Sequence, residues 1–353
     1  MARLQGLRRE RALASKQFQD GTFRNTSPVG PGLKSRALPL VREYFFQGDG
    51  RVPSGAIPIE RPHEVWARGR PSSGFRVTWL GHSTMLLEMD GLRVLTDPVF
   101  GDRASPFSFA GPKRFHATPA RLAELPKLDA ILLSHDHFDH LCAVTMKGVA
   151  RIDVPIVTSL GVGVHLEALG IPTSRIIELD WWESHDFAGG DLRFTAAPAQ
   201  HFSGRGLSDR NTTLWSSWAI QTQSHKVFFS GDTGLTEEFA EVGARLGPFD
   251  LSMIEIGAWH PAWGDIHLGP VNALEAFRLL GGGTLLPVHW GTFNLALHDW
   301  DEPAETLVGL DKDLGVRIVT PPIGHPFELA HVEGPTPWWR DVVTRRSRAS
   351  SPT

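Results

Sequence analysis

The run Ser134-His135-Asp136-His137-Phe138-Asp139-His140 places three imidazoles and two carboxylates within seven residues. The chain holds 16 histidines in 353 residues. At that frequency a His-x-His-x-x-His spacing is expected by chance only about 0.03 times. The chemistry it suits is cation binding. Ala130 to Leu133 reads as a buried strand, and His135 and His137, two apart in extended backbone just past it, point to the same side. Asp139 and His140 follow at a turn, so one pair can hold one cation while the other faces a second about 3.5–4 Å away. A capping aspartate among solvated loop histidines is the competing explanation, and the spacing speaks against it.

One short loop does not enclose two cations, so further ligands are expected at other strand ends. Three segments offer them: His201 in Pro198-Ala199-Gln200-His201, Asp232 in Ser230-Gly231-Asp232-Thr233-Gly234, and His289 closing Leu285-Leu286-Pro287-Val288-His289. Singly, each also reads as a satisfied turn or strand-end residue. Together with the first motif they make a set of seven.

Short apolar runs supply the elements that must carry these residues. Strands are expected at Val77–Leu80, Met85–Met89 and Leu92–Leu95, the last two joined by the hairpin dipeptide Asp90-Gly91. Others are expected at Ala130–Leu133, Ile156–Ser159, Leu192–Ala196, Trp218–Gln221, Val227–Ser230, Leu251–Ile256 and Thr284–Val288, with helices at Pro119–Glu124, Gly163–Leu169, Glu237–Leu246 and Pro270–Leu280. Antiparallel strands followed by alternating elements give an α/β fold of sheets covered by helices. Residues 1–70, rich in Arg, Pro, Gly and Ser, read as an extension wrapped on the core. Within it Leu4 and Leu7 hint at an interfacial helix, but Glu10 breaks the pattern and a disordered tail is expected. Residues 71–340 form the catalytic domain, and 341–353 a flexible tail.

Composition narrows the class. Apolar residues make up 41%, charged residues 21%, and the formal net charge is −4, which suits an ordinary globular protein without a general footprint for nucleic acid. No apolar run approaches the roughly 20 residues of a membrane span, and the arginine-bearing N-terminus has no hydrophobic signal core. The expected location is cytoplasmic, with at most peripheral membrane contact. The single cysteine, Cys142, excludes an intrachain disulfide framework and thiolate clusters, and reads as a small buried filler. Twelve tryptophans fit core packing, with an apolar substrate groove as the alternative.

The seven positions match the His-x-His-x-Asp-His, His, Asp, His order of the metallo-β-lactamase superfamily. The chain also resembles the N-acyl-phosphatidylethanolamine-hydrolysing phospholipase D family and its bacterial relatives. That resemblance rests on Trp79-Leu80-Gly81-His82-Ser83-Thr84, Leu95-Thr96-Asp97-Pro98, Arg103-Ala104-Ser105-Pro106, Gly111-Pro112-Lys113-Arg114-Phe115, Leu214-Trp215-Ser216-Ser217-Trp218, Gly231-Asp232-Thr233-Gly234, Gly247-Pro248-Phe249-Asp250 and His289-Trp290-Gly291-Thr292-Phe293. It covers roughly residues 75 to 305. It implies an αββα sandwich of two mixed β-sheets flanked by helices, with His135, His137 and His201 on one zinc, Asp139, His140 and His289 on the other, and Asp232 bridging. His267 aligns with a His-x-x-Pro segment near the family's pocket, as an oxyanion contact or proton donor, and Asp97 would orient a ligand histidine. Asp232, His267 and Asp139 are thus the catalytic candidates. The lipid-cleaving members usually have Asn and Tyr where this chain has Asp136 and Phe138, and an acidic residue at Cys142.

The implied activity is dinuclear hydrolysis through a metal-bridging hydroxide. Two zinc ions are favoured by the donor set, and manganese or iron fits the same geometry. Two cations, two carboxylates and a hydroxide leave roughly +1, which favours an anionic phosphodiester such as an N-acyl-phosphatidylethanolamine-like glycerophospholipid. A lactonase or other ester hydrolase of the same fold is the alternative, and a non-catalytic metal-binding protein a further one. The expected partner is a small-molecule or phospholipid substrate, with a homodimer allowed.

Overall fold

The computed structural model describes residues 4–29, 50–206, 208–260, 263–311 and 315–342. Part of the expected extension and residues 343–353 of the expected tail lie outside them. The chain opens with α1 (Gly6–Ala14) and a small hairpin, β1 (Phe18–Gln19) and β2 (Thr22–Phe23), followed by the short helix α2 (His63–Ala67). A first sheet then forms from β3 (Phe75–Gly81), β4 (Thr84–Met89), β5 (Leu92–Thr96), β6 (Ala130–Leu133), β7 (Ile156–Ser159) and β8 (Ile176–Leu179). The second comprises β9 (Ser184–Phe187), β10 (Leu192–Ala197), β11 (Ser217–Thr222), β12 (Lys226–Phe229), β13 (Leu251–Glu255) and β14 (Thr284–Val288). The last strand, β15 (Pro326–Glu328), returns to the first sheet.

The sheet orders are β15-β3-β4-β5-β6-β7-β8 and β14-β13-β12-β11-β10-β9. Both are mixed: β3 to β5 pair antiparallel and β5 to β8 parallel, while β9 to β12 pair antiparallel and β12 to β14 parallel. Alternation of side chains sorts the faces. Along β6, Ala130 and Leu132 join the core shared with Phe194, Trp218 and Phe229 of the second sheet. Ile131 and Leu133 instead join a separate cluster with Met146, Val149 and Leu166, residues of α3 (Ala143–Val149) and α4 (Gly163–Ala168). On the other side α5 (Glu238–Leu246) and α6 (Gly269–Leu279) bring Phe239, Ala273 and Phe277 into the first of these cores. Helices α7 (Glu302–Asp311) and α8 (Trp339–Val342) follow. The result is two mixed sheets flanked by helices.

Every strand expected from apolar runs is present. Strands β1, β2, β8, β9 and β15 were not expected: β1, β2 and β15 have only two or three residues and β9 reads Ser-His-Asp-Phe and is half exposed, so none of these four carries a period-two apolar signal. Pro119–Glu124 is not an α-helix; only the 3-10 turn Leu122–Glu124 forms, closed by Glu124 on the Arg121 backbone N–H at 2.8 Å. Helix α1 replaces the disordered tail expected around Leu7. Its partners lie far along the chain: Arg8 reaches Glu178 at 2.5 Å and Glu167 at 3.0 Å, and Arg11 pairs with Glu183. Local periodicity carries no trace of such partners. Among the described residues no helix is long and apolar enough to cross a membrane.

Arg76 and Glu88 face each other across β3 and β4, both nearly fully buried, in a bidentate pair at 2.5 and 2.8 Å. Truncating Glu88 leaves a buried guanidinium without its carboxylate. Glu88→Ala should lower stability by about 3–5 kcal/mol in denaturant unfolding, whereas the double change Arg76→Met with Glu88→Leu should cost much less.

Candidate metal centre

The parallel strands of both sheets end at one place, as open α/β sheets do where they bind ligands. Past β6 comes the loop Ser134–His140, past β12 Asp232, past β14 His289, and past β10 His201. All seven predicted residues meet there. Nε2 of His135 lies 2.8 Å and Nε2 of His201 lies 3.2 Å from Nδ1 of His137. Each of those two Nε2 atoms is also 3.8 Å from Oδ2 of Asp232. The other oxygen of the same carboxylate, Oδ1, is 3.1 Å from Nε2 of His140 and 3.2 Å from Nε2 of His289. Oδ2 of Asp139 closes the second group, 3.3 Å from His289 and 3.5 Å from His140. Donor atoms of His135, His137, His201 and Asp232 lie within 4.8 Å of one another, as do those of His82, Asp139, His140 and His289.

The rings are held from behind. Nδ1 of His140 donates to Asp97 at 2.7 Å, and the same carboxylate takes the Ser134 backbone N–H at 2.7 Å and its hydroxyl at 2.6 Å. Nδ1 of His201 donates to the Ile266 carbonyl at 2.9 Å. These bonds fix which nitrogen each ring presents. Asp136 turns away from the centre: it accepts from the Gly204 N–H at 2.9 Å and Thr213 Oγ1 at 3.1 Å and faces His165 Nε2 at 3.2 Å. Arg205 donates to the Asp136 carbonyl and lies 4.1 Å from the centre of the Phe138 ring. The loop is thus clamped by residues that carry no donor into the centre.

The donor set fits divalent cations. His140 Nε2 and Asp232 Oδ1 are fully enclosed and face each other at 3.1 Å without the alignment of a hydrogen bond, an arrangement that a cation held between the donors would satisfy. Burial alone pulls the imidazoles down, and His135 and His201 do fall well below the ordinary range. At His140 and His289 the carboxylates outweigh burial: Asp232, Asp139 and Asp97 hold His140 well above its usual value, and Asp232 and Asp139 push His289 up to about 10. The centre calls for positive charge.

His267 lies at the rim, its ring 5.0 Å from His201 and 5.5 Å from His289. Sequence reasoning did not single out Glu255, the last residue of β13. It is fully buried, 2.7 Å from His267 Nδ1, and accepts the Thr233 N–H at 2.7 Å. Burial lowers the His267 imidazole, but Glu255 beside it prevails and raises it. A carboxylate ending the otherwise uncharged strand Leu251–Glu255 was the available signal. His82, which reads equally well as a turn residue, sits 3.0 Å from Asp139. Cys142 is buried beside Val99 and Phe293, and Trp215, Trp218 and Trp290 are core residues.

Fold and centre define a metal-dependent hydrolase, and the chain belongs to the metallo-β-lactamase superfamily: residues 92–290 match the family model described as Beta-lactamase superfamily domain. More particularly, it is 43% identical over 334 residues to an uncharacterized protein of Mycobacterium tuberculosis, covering 92% of this chain and 88% of that one. It is 38% identical over 292 residues to N-acyl-phosphatidylethanolamine-hydrolyzing phospholipase D 1 of Caenorhabditis elegans, covering 78% and 81%. Among solved structures, isothiocyanate hydrolase from Delia radicum gut bacteria shares the fold, with a TM-score of 0.58, 20% identity, and coverage of 72% of this chain and 98% of that one.

Gly231 makes the turn that delivers Asp232. Its φ is +54°, and a Cβ there would meet Ser134 Cβ at 2.7 Å and the Ser216 carbonyl at 3.0 Å. Gly231→Ala should therefore cost about 1–3 kcal/mol of stability and loosen metal retention. Thermal unfolding and zinc content of the same preparation check both effects.

Proposed function

We propose that this chain is a dinuclear phosphodiesterase of phospholipase D type, acting on N-acyl-phosphatidylethanolamine-like glycerophospholipids. The observation that carries the reading is Asp232, whose two oxygens face two separate donor groups. His135, His137 and His201 would hold one divalent cation, Asp139, His140 and His289 the other, with Asp232 shared; zinc suits this set best. Bound there, the cations would acidify a water and polarise the scissile phosphodiester.

The chain's own residues do the rest. Asp232 and Asp139 set the local charge, and Asp97 and Ile266 keep His140 and His201 in the required tautomer. With Nδ1 bonded to Glu255, His267 presents Nε2 to a substrate oxygen, either to stabilise charge on it or to protonate the departing alcohol. The likeness to the nematode phospholipase D supports phosphorus over carbonyl carbon as the point of attack. We place the enzyme in the cytoplasm, meeting lipid at the membrane surface.

Protein purified without chelator should carry two metal ions per chain by elemental analysis. Asp232→Asn should lose more turnover than His267→Ala, whose loss should be about 10²–10³-fold, the usual worth of one oxyanion contact. The deciding experiment is hydrolysis of N-acyl-phosphatidylethanolamine in oxygen-18 water. The label should enter phosphatidic acid and not the alcohol. Label in a carboxylate, or turnover of lactones with no phosphodiester turnover, would assign the chain to ester hydrolysis instead.

A further inference from the structure

The segment around β2 reaches the centre from the far end of the sequence. Phe23 is fully buried with Ala12, Leu160, Trp181, Ala199, Leu214 and Trp215, and its N–H bonds the Asn211 carbonyl at 2.7 Å. Two residues on, the Asn25 side chain pairs with the backbone of His201 as a strand would. Asn25 Nδ2 donates to the His201 carbonyl at 2.8 Å, and the His201 N–H donates to Asn25 Oδ1 at 3.0 Å. Trp215 Nε1, which donates to the Ala199 carbonyl at 2.9 Å, also reaches the same Asn25 oxygen at 3.1 Å. A cavity of about 370 Å³ lies beside this pair, with Asn25, Val29, His201, Phe202 and Ile266 among its lining residues.

His201 is thereby held at two points. Its ring is fixed by the Ile266 carbonyl and its backbone by Asn25. His201 follows Pro198-Ala199-Gln200, beyond the end of β10, so ladder hydrogen bonds no longer set its backbone. We propose that Asn25 is a positioning residue of the active centre, through which the N-terminal segment sets the aim of His201. This rests on the reading of His201 as a metal ligand. An amide is suited to the task because it offers one donor and one acceptor in a fixed plane, and groups that orient ligands typically change metal affinity or activity about 10–100-fold when removed.

The test uses the full-length metal-loaded protein and its Asn25→Ala and Asn25→Asp variants. Zinc retention is read against graded chelator, stoichiometry by elemental analysis, and kcat and KM on bis(p-nitrophenyl) phosphate. Asn25→Ala should release one of the two ions at about 10–100-fold lower chelator concentration and lose kcat in proportion, with KM and thermal midpoint little changed. Asn25→Asp keeps the acceptor for the His201 N–H but not the donor, so it should fall between; it also gives the reading if the alanine variant does not fold. A lowered thermal midpoint with zinc retention and kcat as in the parent would mean that Asn25 only pins the segment, and would overturn the proposal. A parent protein that binds no zinc, manganese or iron would instead overturn the metal reading itself.

Discussion

Asp232 has to look two ways at once. Its two oxygens are only a bond angle apart, yet each faces a different cluster of imidazoles, and each cluster draws on both sheets. The loop with His135 to His140 belongs to the first sheet, while Asp232, His201 and His289 belong to the second. The separation of the two sheets is therefore part of the site geometry, and the large side chains between them, Trp218, Phe194 and Phe229 among them, act as the spacer. Close packing makes such a spacer stiff. Ser134 then ties the layers at the point of use: its carbonyl takes the Ser159 hydroxyl at 2.6 Å and the Ser216 N–H at 3.2 Å, the latter from the second sheet.

Backbone shape contributes alongside packing. His82, Asp97 and His289 all have positive φ, at 53°, 32° and 65°, an uncommon conformation for residues with a Cβ. The His289 N–H bonds the His82 carbonyl at 3.1 Å, which also takes Trp79 Nε1 at 2.8 Å. Strained turns of this kind persist where surroundings over-determine them. Here hydrogen bonds and the tryptophan stack of Trp79, Trp290 and Trp338 supply that constraint directly behind the donors.

Much of this was legible in the residues themselves. Strands at the core declare themselves through apolar runs, and the seven candidate donors that the fold brings together through type, spacing and position just after those runs. What stayed hidden depends on partners distant in sequence. Asn25 is one asparagine among ordinary polar residues until the fold brings it to His201. Glu255 reads as a lapse in an apolar strand until His267 and Thr233 surround it. Helix α1 lacks a continuous apolar stripe, and much of its attachment is ionic, through Arg8 to Glu167 of α4 and Glu178 of β8 and through Arg11 to Glu183 just before β9. The edge strands β9 and β15 were missed because an edge needs little burial, and so little pattern.

The placing of β15 bears on how the chain comes off the ribosome. Phe327 pairs with Val77, so the edge of the first sheet beside β3 is closed by a segment made 250 residues later. Until then β3 presents an open edge, the kind of surface that recruits other chains. The motif loop has emerged long before, while its counterparts at Asp232 and His289 are still to come. A nascent chain at that stage holds the candidate donors of the loop without those of Asp232 and His289, beside an unpaired β3 edge of the kind that chaperones shield.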